Sequence, residues 1–266
     1  MITKRVEDLE YLASELLATP HGFSTRLGGV SEGYLASLNL GCHRGDLDEN
    51  LRENYRRFGA ATGVDVGRVV MANQVHKDTV RVVTEADIKA DLLAETPFEA
   101  DGLVTDRPGI TLAVFSADCI PVLLFDPARQ VIGACHAGWR GTAAAIGART
   151  VETMTDRYGC RVQDIRAAIG PGIGPCCFET DGDVPEAMVE KLGDLARPHI
   201  RQAGEKYHVD LKAIDRDILL AAGLSPAQVE VCGDCTCCLH DRYWSHRYTH
   251  GVRGSQAAVI MLEGEG

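Results

Sequence analysis

An α+β fold, with mixed β-sheets packed as a sandwich, is what the sequence predicts. Short apolar or β-branched runs outnumber helical patterns. Helices and strands alternate too unevenly for a regular βαβ series, and turn residues bound most of the runs. The predicted strands are 69–71, 80–84, 102–105, 111–115, 122–125, 131–135, 165–169, 229–231 and 257–261. Helical spacing of apolar residues predicts helices over 46–61, with Leu51, Tyr55 and Phe58 on one face, and over 142–158, 184–192 and 211–222. Asp46 or Asp48 is the expected cap of the first helix. The Gly- and Ser-rich stretch 23–39 (FSTRLGGVSEGYLASLN) reads as an extended loop.

The 266 residues are 45% hydrophobic and 24% charged, the mixture of a soluble globular protein. The length allows one domain or two closely packed halves. A formal net charge of −11 disfavours both nucleic acid and anionic lipid as partners. A small anionic substrate would need a local cluster of arginines or backbone donors. The first twenty residues contain acids and no unbroken apolar core, and no run of 18 apolar residues occurs anywhere, so a cytoplasmic location is expected. In that setting ten cysteines read as reduced thiols, metal ligands or catalytic groups.

Three segments place a His or Cys where a predicted strand ends: Asn73-Gln74-Val75-His76, Ser116-Ala117-Asp118-Cys119 and Cys135-His136-Ala137-Gly138. Two imidazoles and one thiolate suit Zn2+, and three protein ligands leave the fourth position open, the pattern of catalytic sites. The separations of 43 and 17 residues form no short metal motif, so each of these residues alone reads equally as an ordinary hydrogen-bonding or core side chain.

The stretches STRLGGVSEG, LNLG, NQVH, ADGLVTD, SADCIPVLL, HAGWRGT, IGPGIGPCCFE and SHR resemble the YfiH/YlmD family from about Phe23 to Leu262. This is the laccase-domain or polyphenol-oxidoreductase family, which includes the peptidoglycan editing factor and the human protein FAMIN. The resemblance implies one catalytic domain over 1–266. The implied fold is a four-layer α/β/β/α sandwich related to a cytotoxic necrotising factor toxin. It also implies zinc held by His76, Cys119 and His136. The implied activity is phosphorolysis of purine nucleosides (adenosine, inosine, guanosine, methylthioadenosine), with adenosine deamination alongside. The expected partners are therefore a purine nucleoside and phosphate. Nothing sets the oligomeric state, and a monomer is compatible with the sequence.

For deamination, Asp118 and Asp101 are the candidate proton shuttles. For phosphorolysis, phosphate calls for arginines and backbone donors. Arg140 is a candidate because Arg140-Gly141 opens the predicted helix, with Arg26 in the TRLGG loop and Arg247 in SHR beside it. Asn73 and Gln74 are further substrate-binding candidates. Peptidoglycan-precursor editing and polyphenol oxidation with copper are the alternative activities, and a metal-binding scaffold without turnover is a third. No His-x-His occurs, which argues against a multicopper centre. The run Cys232-Gly-Asp-Cys235-Thr-Cys237-Cys238 has no second paired motif to complete a four-ligand site, and Cys176-Cys177 reads as packing. His43, His240, His246 and His250 have no evident partner, with His246 near the site only through its neighbour Arg247.

Overall fold

The computed structural model describes residues 1–264. Two six-stranded mixed sheets lie at its centre. In the first, strands β1 (Ile2–Val6), β2 (Leu9–Ala13), β3 (His21–Ser24), β15 (Gln256–Met261), β7 (Thr111–Ser116) and β4 (Val69–Val70) run side by side in that order. In the second the order is β14 (Val229–Val231), β10 (Arg166–Ile169), β8 (Ile120–Asp126), β9 (Val131–Ala137), β6 (Gly102–Thr105) and β5 (Val80–Val82). A small third sheet holds β11 (Glu179–Thr180), β13 (Lys206–Val209) and β12 (Ile200–Ala203).

The two-residue side-chain period assigns the central strands to two cores at once. Leu112, Val114, Ala258 and Ile260 of the first sheet meet Leu103, Leu123, Phe125, Ile132 and Ala134 of the second. The alternate residues Ala113, Ala257, Val259 and Met261 face outward, against Tyr55 and Phe58 of helix α1 (Asp48–Thr62). On the far side Val122, Leu124, Val131 and Cys135 pack under α3 (Ile146–Tyr158), α4 (Asp183–Leu192) and α5 (Leu211–Ala221). Because both faces of each sheet are covered, these strands read as continuous apolar runs. The layers are α/β/β/α, as the family resemblance implies.

Sequence reading and structure part at four places. Strands β1, β2 and β3 were not predicted. β1 is exposed along its whole length and carries Lys4 and Arg5, so burial leaves no alternating signature there, and the charges suit an edge strand. The third sheet is also new, its strands being two to four residues long. The helix predicted over 142–158 is two helices, α2 (Trp139–Ala143) and α3, separated by Ala145 in the left-handed conformation at φ 56°. A run of alanines carries no sign of such a break. Finally, α1 is capped by neither predicted aspartate, since Leu47 holds the cap position. Asp46 instead accepts hydrogen bonds from Ser31 Oγ at 2.6 Å and Asn39 Nδ2 at 2.8 Å, fastening the preceding loop. Among the described residues no helix is long and apolar enough to cross a membrane.

Candidate metal centre

The strand register explains how residues so distant in sequence meet. Residues 132, 134 and 136 share one face of β9, the face turned toward the first sheet. His136 is therefore aimed between the sheets at the end of its strand, where it is 3% exposed. Strand β7 belongs to the first sheet and β8 to the second, so the chain crosses between layers at Ala117-Asp118-Cys119. Pro121 pairs with His136 across β8 and β9, which places Cys119 beside the end of β9. His76 lies in the loop after β4 at φ 59°.

The three side chains converge. Cys119 Sγ lies 3.9 Å from His76 Nε2, and the two imidazole rings meet edge to face with centroids 4.9 Å apart. One donor atom from each residue lies within 4.8 Å of the others. Gly138 makes room for this meeting. A Cβ there would stand 2.6 Å from His76 Cδ2 and 3.1 Å from Cys119 Sγ.

The predicted proton shuttles have other work. Asp101 directly precedes β6, and Gly102 pairs with Cys135, so the register sets Asp101 opposite His136. Its Oδ1 lies 2.9 Å from His136 Nδ1. The same carboxylate accepts the backbone N–H groups of Val75, His76 and Lys77 at 2.8–3.1 Å. One buried acid thus orients the imidazole of His136, leaving Nε2 to face Cys119, and also shapes the loop that presents His76. Burial alone would raise the Asp101 pKa; the bonds from His136 and the loop amides more than offset this and hold it low.

Asp118 has its backbone at φ 88°, a sparsely populated conformation for a non-glycine residue. Its carboxylate accepts from Thr236 Oγ1 at 2.7 Å, Ser245 Oγ at 3.1 Å and the Arg247 backbone N–H at 2.7 Å. Neither acid lines the adjoining cavity. Both carboxylates bond to the protein around them, an arrangement that suits positioning.

Burial would push the Cys119 thiol up, but the imidazoles of His136 and His76 bring it down to about 6. Burial would likewise discharge His136; Cys119 and Asp101 instead hold it up to about 9. Such a site favours a thiolate, the form in which cysteine ligates metal.

A cavity of about 310 Å3 opens over these donors. Asn73 and Gln74, the substrate-binding candidates, are among its lining residues. Asn73 donates to the Thr96 carbonyl at 2.8 Å, while Gln74 exchanges two 2.7 Å bonds with the backbone of Phe115 and so ties its loop to β7. The three predicted arginines lie elsewhere. Arg26 stacks on Trp244 at 4.0 Å and donates to the Ala36 and His240 carbonyls. Exposed Arg140 stacks on Trp139 at 4.1 Å, on a helix of only five residues. Arg247 donates to the carbonyls of Cys177 and Glu179. The cavity is lined instead by His43, Arg44, Lys89 and Arg253, which the sequence reading missed. Their one sequence signal is position: Cys42-His43-Arg44 directly follows the LNLG stretch, and Arg253 sits between SHR and the last strand.

Arg253 is mostly buried. Burial first, then the like charge of Arg44, brings its pKa down to about 10, and its Nε has no hydrogen-bond partner. No carboxylate is among the described residues lining the cavity. Two neighbouring cationic groups make the field in this cavity positive within an otherwise acidic chain.

Residues 20–263 match the family described as multi-copper polyphenol oxidoreductase laccase. The purine nucleoside phosphorylase YlmD of Geobacillus stearothermophilus is 36% identical over 243 residues, covering 90% of this chain and 88% of that protein. The chain belongs to the YfiH/YlmD laccase-domain family. The crystal structure of YfiH from Bacillus licheniformis matches with a TM-score of 0.90 at 34% identity, over 98% of this chain and 99% of that one. Adenosine deaminase RL5, from an unknown prokaryotic organism, is 35% identical over 229 residues, 85% of this chain and 87% of that protein. This laccase-domain chain also departs from its sequence reading in a second cluster. Cys176 and Cys177, expected only to pack, lie with Cys235 and Cys238 so that all four sulfurs are within 4.8 Å of one another.

Proposed function

We propose that this protein is a purine nucleoside phosphorylase with adenosine deaminase activity, working at a Zn2+ ion held by His76, Cys119 and His136. The observation that carries the reading is one cavity with two imidazole nitrogens and a thiolate at its floor and Arg44 and Arg253 in its wall. The donor set fits zinc: two nitrogens and one sulfur suit a borderline-soft ion, and three ligands leave a position toward the cavity. When bound, zinc supplies Lewis acidity at that floor.

The chain's own groups do the rest. Arg44 and Arg253, with Lys89 beside them, hold phosphate through charge-assisted hydrogen bonds. A phosphate oxygen attacks C1′ of the ribose, and the bond from C1′ to the purine nitrogen breaks with its electron pair passing to the base. The base takes up a proton and leaves, and ribose 1-phosphate remains. In deamination, water adds at C6 of adenosine and ammonia departs. With both nearby aspartates committed to positioning, His43 is the cavity imidazole outside the metal set and is assigned the proton transfer. The range of accepted nucleosides extends to guanosine and methylthioadenosine.

The test is turnover by zinc-loaded protein. With inosine, hypoxanthine is released in phosphate buffer and not in a phosphate-free one. With adenosine, both adenine and inosine form. Absence of base release from every purine nucleoside in phosphate overturns the reading.

A further inference from the structure

The four-cysteine cluster lies outside the catalytic cavity and has no part in the chemistry above. It is assembled from two short segments. Cys176 and Cys177 lie in the 170–178 segment that follows β10, and Cys235 and Cys238 sit in the loop after β14. The two segments are laced together by the Gly172–Cys235 bridge and by Thr236 N–H donating to the Gly172 carbonyl at 3.2 Å.

Cys238 Sγ stands 3.4 Å from Cys176 Sγ and 3.3 Å from Cys177 Sγ. One sulfur equidistant from two others is poorly explained by a disulfide, which joins a single pair at about 2.05 Å. Four thiolates around a tetrahedral Zn2+ with bonds of about 2.3 Å would lie about 3.8 Å apart, and these sulfurs are all within 4.8 Å. Gly174 N–H points at Cys235 Sγ from 3.1 Å, so a backbone dipole already favours charge on that sulfur. Cys235 is buried, Cys177 is partly buried, and Cys176 and Cys238 reach the surface. That gives a rigid base with an entry side for an ion.

We propose that Cys176, Cys177, Cys235 and Cys238 form a second, structural zinc site, a closed tetrathiolate distinct from the His76–Cys119–His136 centre. Four protein ligands leave no coordination position for substrate, which separates it chemically from the three-ligand catalytic set. Its consequence reaches the catalytic wall. Thr236, next to Cys235, donates to Asp118, and Arg247 bonds the Cys177 carbonyl through its side chain and Asp118 through its backbone. Clamping the two cysteine segments therefore fixes the groups that hold Asp118 in its strained conformation, one residue before Cys119.

The experiment counts zinc in protein purified under reducing conditions without chelators. The wild type is expected to hold about two ions per chain, and Cys119→Ala and the double variant Cys235→Ser/Cys238→Ser about one each. Cys119→Ala leaves this cluster intact, so it decides the matter even if the double variant does not fold. Loaded with Co2+, Cys119→Ala is expected to show intense sulfur-to-metal charge transfer with tetrahedral ligand-field bands. Two results overturn the proposal. One is a Cys119→Ala protein with no stoichiometric zinc and no thiolate–cobalt signature. The other is peptide mapping that finds Cys238 in a disulfide. Neither depends on nucleoside turnover, so the outcome is separable from that of the proposed activity.

Discussion

The floor and the mouth of the cavity differ in what their charges do. Behind the floor, Asp101 and Asp118 are 1% and 8% exposed and accept hydrogen bonds from the side chains and amides around the metal-site residues. At the mouth, Arg44 is exposed and the Arg253 Nε has no partner. The buried acids are committed to protein partners, while no carboxylate of the cavity lining neutralises the cations. The contrast teaches that charge alone does not mark a substrate group; what matters is whether its bonding capacity is already used. An acidic chain can in this way present a cationic pocket, because the local lining and not the net charge sets the field in the cavity.

The largest effect is expected from breaking the floor. Cys119→Ala removes a proposed metal ligand and should lower kcat/KM for inosine by about a thousandfold, roughly 4 kcal/mol of transition-state stabilisation. Steady-state kinetics with a zinc count checks it. Asp101→Asn keeps the shape but weakens the hold on His136 Nδ1 and on the His76 loop. Zinc affinity should fall by about 10- to 100-fold, as competition with a chelator would show.

Changes at the mouth should be smaller and selective. Arg253→Met is expected to raise KM for phosphate by about tenfold, about 1.4 kcal/mol of binding, while adenosine deamination, which uses no phosphate, stays close to wild type. Equal losses in both reactions would erase the distinction between floor and mouth.

In metal-stripped protein the Cys119 pKa is depressed to about 6 and that of His136 elevated to about 9. The thiolate–imidazolium pair therefore persists between those values. Alkylation of Cys119 by iodoacetamide should stay fast from pH 9 down to about 6, then slow about tenfold per pH unit below that. An ordinary thiol would already be slowing below about pH 8.5.

The smallest effect lies away from the site. Ala145 holds φ 56° between α2 and α3, a conformation that costs a non-glycine residue about 1 kcal/mol. Ala145→Gly should therefore raise stability to urea by roughly 0.5–1 kcal/mol with kinetics unchanged.

Much of the core was legible because its strands are apolar on both faces. Val122–Phe125 and Val131–Cys135 announce themselves as runs, and burial on two sides is the reason. The edge strand Ile2–Val6 did not, because no face of it is buried. At the site, NQVH, SADC and HAGW could be recognised as a set, yet their convergence depends on register, with residue 121 opposite 136 and residue 102 opposite 135. No local pattern encodes that pairing. The partners of Asp101 and Asp118 were illegible for the same reason: an acid beside a candidate ligand reads as a proton carrier while its hydrogen bonds are unknown. Arg253 was missed because nothing in VRGS separates a cavity arginine from a solvated one. Arg26, Arg140 and Arg247 stand in conspicuous motifs, yet their guanidinium groups hold carbonyls or stack on tryptophan, outside the cavity lining.

In the proposed function, one ion held by two imidazoles and a thiolate serves a cavity that processes purine nucleosides. Zinc content and hypoxanthine release from inosine, measured on the same preparations with and without phosphate, test it most directly. The wild type should release hypoxanthine only with phosphate, and Cys119→Ala should lose one zinc together with nearly all of that release. Zinc-loaded wild type that releases no hypoxanthine, or Cys119→Ala that releases it as fast as wild type, would contradict the account.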